Sequence, residues 1–105
     1  MSLREIIEQA WEDRSLLVQS QTTEAIRQII SDLDQGIIRV AEPTGDTWKV
    51  NEWVKKAVLM YFPIQKMETI EVGPFEFHDK IALKKDFAHL GVRVVPHALA
   101  RYVLF

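Results

Sequence analysis

Apolar residues fall at steps of three and four in three separate runs of this chain, and that recurrence constrains the fold more than any other feature. Leu3, Ile6, Ile7, Ala10 and Trp11, continued by Leu17, form the first run, and Ala25, Ile26, Ile29, Ile30 and Leu33 form the second. Such steps gather side chains on one face of an α-helix, with Glu8, Glu12, Asp13 and Arg14 of the first run falling largely elsewhere. Each helix must then bury its stripe against a neighbour. The third run, Trp53, Val54, Ala57, Val58, Met60, Tyr61 and Phe62, is apolar around more than one stripe, so its helix is expected at the centre.

Start and stop signals bound these helices. Ser2 followed by Glu5 has capping-box spacing. The polar stretch Val18 to Thr22 reads as a turn, with Thr22 or Thr23 capping the second helix and Glu24 close to the positive end of its dipole. Gly36 stands where a helix commonly ends in a left-handed residue. Asn51 is placed to cap the third helix, and Pro63, which lacks an N–H and disfavours helical angles at Phe62, predicts a stop near Tyr61.

Between and after the helices the pattern is extended. Ile37 to Glu42 and Thr47 to Val50 read as a small hairpin turning through Pro43-Thr44-Gly45-Asp46. Met67 to Val72 alternates like a strand and Gly73-Pro74 punctuates it, but Phe75 to Leu83 has no clear period and is expected to be irregular or briefly extended. Asp86 to Gly91 reads as one helical turn, and Val92 to Phe105 as an apolar extended tail interrupted by Pro96.

Composition narrows the function classes. At 105 residues the chain has room for one domain and one core. It contains no cysteine, which removes disulfides, thiolate metal sites and thiol nucleophiles. A formal net charge of −2 with both signs interspersed gives no basic field for nucleic acid. The acidic, amphipathic start and the lack of a long apolar run point away from secretion and the membrane, so a cytoplasmic location is expected.

No constellation here is a complete active site. His78, His89 and His97 lack metal-ligand spacing, so no metal is expected. His78-Asp79 has the residue types of an acid–base pair, but neighbours in a strand point to opposite faces. Ser15, Ser20 and Ser31 have no glycine elbow, and the four glycines are too scattered to cradle phosphate. Lys55-Lys56 and Lys84-Lys85 read as solvated faces, and Trp11, Trp53, Tyr61 and Phe62 as core aromatics. Arg93, between Val92 and Val94, is either the outward residue of an alternating strand or a buried cation awaiting a carboxylate or phosphate.

Four stretches carry a resemblance to a known family: Leu33-Asp34-Gln35-Gly36-Ile37-Ile38-Arg39-Val40-Ala41-Glu42, Trp48 to Leu59, Phe75-Glu76-Phe77-His78-Asp79-Lys80, and Gly91-Val92-Arg93-Val94-Val95-Pro96. In this order and spacing they resemble the N-terminal region of tetrahydrodipicolinate N-succinyltransferase, an acyltransferase of bacterial lysine and diaminopimelate synthesis. The resemblance implies a mostly helical cap ahead of a left-handed parallel β-helix of hexapeptide repeats, in a trimer that transfers succinyl from succinyl-CoA to an amino-dicarboxylate. It also implies that Arg93 of the Arg-Val-Val-Pro motif holds a substrate carboxylate. The resemblance further implies that the family's catalytic acids and CoA surface lie in those repeats, which are expected to be missing here, where Val103-Leu104-Phe105 follow Ala100-Arg101-Tyr102.

The expectation is therefore an α+β domain of three principal helices, a short hairpin and a C-terminal extended segment, without the β-helix. Residues 1–91 form the helical cap and 92–105 the segment that would lead into the repeats. The expected role is that of an N-terminal domain or fragment of the succinyltransferase, contributing carboxylate binding through Arg93 and assembly, with no catalytic residue, no bound cofactor and no activity alone. The alternative is a stand-alone interaction or structural module built on the same cap. Expected partners are the rest of the enzyme or a second copy, met through the apolar tail.

Overall fold

The computed structural model describes residues 1–102, and the chain divides into two compact units, Met1–Gln65 and Lys66–Tyr102. Four α-helices and two antiparallel hairpins among the described residues give the α+β class.

In the first unit, α1 (Leu3–Glu12), α2 (Ser20–Asp34) and α3 (Glu52–Ile64) pack pairwise around one core. The Ser2 hydroxyl accepts a bond from the Glu5 N–H at 3.2 Å, the first half of the expected capping box. Helix α1 stops at Glu12 because Asp13 turns its carboxylate onto the next segment, accepting from the Ser15 N–H at 3.1 Å and hydroxyl at 2.6 Å. A 3-10 turn, Arg14–Val18, follows, and Leu17 belongs to it rather than to the face of α1.

Helix α2 begins earlier than the threonines suggested. Gln19 occupies its N-cap with no side-chain bond, while Thr22 is buried and the Thr23 hydroxyl donates back to the Ser20 carbonyl. Its far end follows expectation. Gly36 has φ +76°, the Ile37 N–H reaches the Asp32 carbonyl at 2.8 Å, and the Gly36 N–H reaches that of Leu33 at 3.1 Å. This pair of bonds satisfies carbonyls that the helix end would otherwise leave open.

The predicted stripes become the core. Ile7 and Ala10 of α1, Ala25, Ile26, Ile29, Ile30 and Leu33 of α2, and Val54, Ala57, Val58, Met60 and Tyr61 of α3 are all buried. Fully burying a side chain such as Ile26, which has no exposed surface, stabilises by about 1.5–3 kcal/mol. Helix α3 runs past Tyr61 to Ile64 with Pro63 inside it. In the last turn a proline forfeits only its bond to the carbonyl four residues back, here that of exposed Leu59, so the helix loses little by including it. Asn51 occupies the N-cap of α3 as expected, but its side chain makes no capping bond. Its side chain donates to the Arg39 carbonyl at 2.7 Å and its N–H to that of Val40, tying the start of α3 to the segment before the hairpin.

The hairpin is shorter than expected. Strands β1 (Ala41–Thr44) and β2 (Thr47–Val50) pair with Thr44 opposite Thr47, so the turn is Gly45-Asp46 alone and Ile37–Val40 lies outside the ladder. Gly45, at φ +63°, supplies the left-handed first turn position that tight hairpins favour.

In the second unit the brief extended stretch expected within Phe75 to Leu83 is β4 (Phe75–Asp79), which pairs along its whole length with β3 (Glu68–Val72), turning through Gly73-Pro74. Helix α4 is the expected single turn, Phe87–Leu90, closed by Gly91 at φ +71°. The segment after it is not a regular strand. One antiparallel bridge joins Leu83 to Arg101, flanked by bonds from the Lys84 N–H to the Ala100 carbonyl and from the Tyr102 N–H to that of Ala82. Val103, Leu104 and Phe105, which the sequence placed in the same extended tail, lie outside the described residues.

Candidate functional site

The second unit carries Arg93, and its hairpin is two-faced. Alternation along β3 and β4 sets Ile70, Val72, Phe75 and Phe77 on one face with Glu68 and Asp79 at its end, and Thr69, Glu71, Glu76 and His78 on the other. On the polar face the Thr69 hydroxyl and His78 Nδ1 share a 2.8 Å hydrogen bond. His78 and Asp79 therefore point apart, and they do not form an acid–base pair.

The apolar face meets the chain that returns after α4. Phe75 and Phe77 stack with centroids 6.5 Å apart, and the His97 ring sits edge-on to Phe75 at 5.5 Å. Further along the same face, Asp79 Oδ2 takes an ion pair from Arg101 at 2.8 Å. Both partners are nearly half exposed, so the pair orients the chain more than it stabilises it.

Arg93 lies between two fixed points of this returning chain. The first is the end of α4, where the Val92 N–H donates to the Phe87 carbonyl at 2.8 Å. The second is a turn through Val95-Pro96-His97-Ala98, closed by the Ala98 N–H on the Val95 carbonyl at 3.0 Å. Proline at the second position and φ +76° at the third, His97, are the marks of a type II turn. Arg93 itself is exposed, as are Val92, Val94 and Val95. It is neither buried nor on an alternating strand, and among the described residues no carboxylate pairs with it. A planar guanidinium held on a short anchored span, exposed and unpaired among the described residues, is suited to a two-pronged grip on a carboxylate.

The other residues singled out in the sequence are structural. Tyr61 is buried and Trp11 and Trp53 are half-buried, whereas Phe62 is exposed. Lys55 makes a long, exposed ion pair to Glu52, but Lys56 is not merely a solvated residue. Its ammonium donates to Glu8 at 2.8 Å, joining α3 to α1, and stands 5.8 Å from the centre of the Trp11 ring, which Arg14 also covers at 4.6 Å. His89 lies in the last turn of α4. The described residues contain no cluster of metal-ligating side chains and no helix long and apolar enough to cross a membrane.

Residues 2–64 match the family model described as tetrahydrodipicolinate N-succinyltransferase N-terminal. The chain is 43% identical to the 2,3,4,5-tetrahydropyridine-2,6-dicarboxylate N-succinyltransferase of Cupriavidus metallidurans, over 95% of this chain and 40% of that protein. It is likewise 43% identical to the protein of the same name from Legionella pneumophila strain Paris, with the same coverage, and 42% identical to that of Ralstonia pickettii. The chain thus spans about 40% of the length of the curated relatives it matches.

Proposed function

Because the chain belongs to the tetrahydrodipicolinate N-succinyltransferase N-terminal family, we propose that it serves as the substrate-gripping N-terminal part of such an acyltransferase, with Arg93 holding one carboxylate of the dicarboxylate. The observation that carries this reading is the identity to named succinyltransferases over 95% of the chain, which takes in the Gly91-Val92-Arg93-Val94-Val95-Pro96 segment as well as the helical unit. The exposed, anchored guanidinium supplies what such a ligand requires, two parallel charge-assisted bonds in a fixed plane.

In this reading the chain contributes binding and assembly. The succinyl-CoA donor and the groups that stabilise charge on its thioester carbonyl belong to the remainder of the enzyme, a trimer in which the segment after Arg93 continues into the β-helix. Arg93 acts by fixing the acceptor so that its amino group faces the thioester, a contribution of orientation rather than of proton transfer.

The test is Arg93→Lys in a full-length relative that carries the same Arg-Val-Val-Pro motif. Lysine keeps the charge and loses the fork. Losing one charge-assisted bond of about 1.5–3 kcal/mol should raise the KM for the dicarboxylate about tenfold or more. The KM for succinyl-CoA should stay unchanged. An unchanged dicarboxylate KM and turnover would leave Arg93 as a solvated surface residue and remove the proposal.

A further inference from the structure

The returning chain after α4 has a feature that its turn type does not call for. The third position of a type II turn needs positive φ, which glycine adopts without cost and asparagine cheaply. Here the residue is His97, at φ +76°. A histidine in that region is tolerated but strained, and its ring makes the edge-on contact with Phe75 at 5.5 Å that glycine or asparagine could not make. Four residues later Arg101 closes on Asp79 at 2.8 Å, on the same face of the hairpin. Two side-chain contacts thus clasp one stretch of chain onto one sheet face, and the bridge at Leu83 continues the fastening in the backbone.

The geometry points to a positioning role for His97 and the Asp79–Arg101 pair: together they hold the 92–101 run on the β3–β4 hairpin and so fix where Arg93 presents its guanidinium. This rests on the reading of Arg93 as a carboxylate-binding residue. The hairpin is otherwise hard to account for. It has an apolar face but almost no core, since Ile81 is the one buried residue described between Lys66 and Tyr102, and Ile70, Val72 and Phe75 remain 42%, 55% and 46% exposed. A two-stranded ribbon with so little burial is poorly ordered alone. As a base against which the returning chain is clasped, it converts a flexible loop into a defined arm. From Val92, pinned to the Phe87 carbonyl, to the turn that starts at Val95, only Arg93 and Val94 are left unanchored.

Pre-ordering the arm matters because a ligand binds only the fraction of chains whose arm is already in place, and its apparent affinity falls by that fraction. Loosening the clasp should therefore weaken carboxylate binding without changing the guanidinium itself. Asp79→Asn removes the charge and keeps the shape, and His97→Asn keeps the positive φ and removes the ring. Arg101→Lys, which preserves the charge, serves as the conservative control.

The experiment uses the 105-residue chain, isotope-labelled, titrated with pyridine-2,6-dicarboxylate as a planar probe related to the ligand in the relatives' name. Order at the Arg93 and Val94 amides is followed by the heteronuclear Overhauser effect, probe affinity by the Arg93 side-chain resonance, and fold stability by thermal melting. Each of Asp79→Asn and His97→Asn should lower the order at Arg93 and weaken the probe about twofold to fivefold, and the pair together about tenfold. His97→Asn should do so with an unchanged or raised melting temperature, because the turn strain is relieved, which a purely structural role would not allow. Arg101→Lys should stay within about twofold of the parent. If the Arg93 amide is as ordered in the double variant as in the parent, the clasp does not position it and the inference is overturned. A probe that binds no differently when Arg93→Ala is introduced would instead refute the carboxylate reading, while the order measurements still decide the clasp.

Discussion

Gly36→Ala isolates a single physical cost. Gly36 stands at φ +76° just past α2, and a Cβ built there meets nothing within 4 Å, so crowding contributes nothing to the substitution. What remains is the left-handed backbone itself, which costs an L-residue about 1–2 kcal/mol. Alanine also narrows the unfolded ensemble and returns about 0.4–1 kcal/mol, so the net loss should be close to 1 kcal/mol. For a domain of this size that is a fall in melting temperature of about 4–8 °C, read from the helical circular dichroism signal. Asparagine, which tolerates this region, should cost less than alanine. D-alanine, placed by chemical ligation, should raise the melting temperature, because its preferred φ has the opposite sign while the unfolded-state benefit remains. The reasoning fails if alanine is neutral, or if D-alanine destabilises as much as L-alanine. Either result would mean that the bonds from Ile37 to Asp32 and from Gly36 to Leu33 do not require this conformation.

Two further outcomes follow from burial and exposure. Ile29→Ala, at a position with no exposed surface, should cost about 2–5 kcal/mol in urea unfolding, and a loss under about 1 kcal/mol would mean that the three-helix core is loosely packed. Val95 and Leu99 are 63% and 53% exposed on the returning chain, so sedimentation velocity should show concentration-dependent self-association that Val95→Asp with Leu99→Glu reduces, and a parent that stays monomeric at all concentrations would exclude this surface as the contact.

Legibility in the sequence followed the distance over which the deciding interactions act. The stripe from Ala25 to Leu33, the bond from the Ser2 hydroxyl to Glu5 and the left-handed stop at Gly36 are settled within a turn or two of helix, and the structure carries all three. Where two local signals compete, the outcome needs the fold. Asn51 had the chemistry of a cap, but its amide went to the Arg39 carbonyl because the chain before the hairpin returns beside it. Pro63 had the chemistry of a helix stop, but a proline in the final turn loses only one bond. Strand β4 showed no period because its apolar face, Phe75 and Phe77, is broken by Asp79, a residue whose purpose appears only once Arg101 lies against it.

The same division holds for the candidate site. Sequence alone singled out Arg93, since a cation between valines is a local anomaly, and resemblance to a carboxylate-binding family gave that anomaly a use. It left open whether the residue was buried or on an outward strand edge, and the fold made it neither, placing it exposed on a span held at both ends. The sequence determined the three long helices, their core stripes, the Ser2 cap and the Gly36 stop, because these rest on properties of neighbouring residues. Only the tertiary structure decided that Lys56 joins Glu8 beside Trp11, that His97 sits on Phe75 and that Arg101 closes on Asp79. Each of those contacts joins residues far apart in the chain, and no local pattern encodes which distant partner the packing brings within reach.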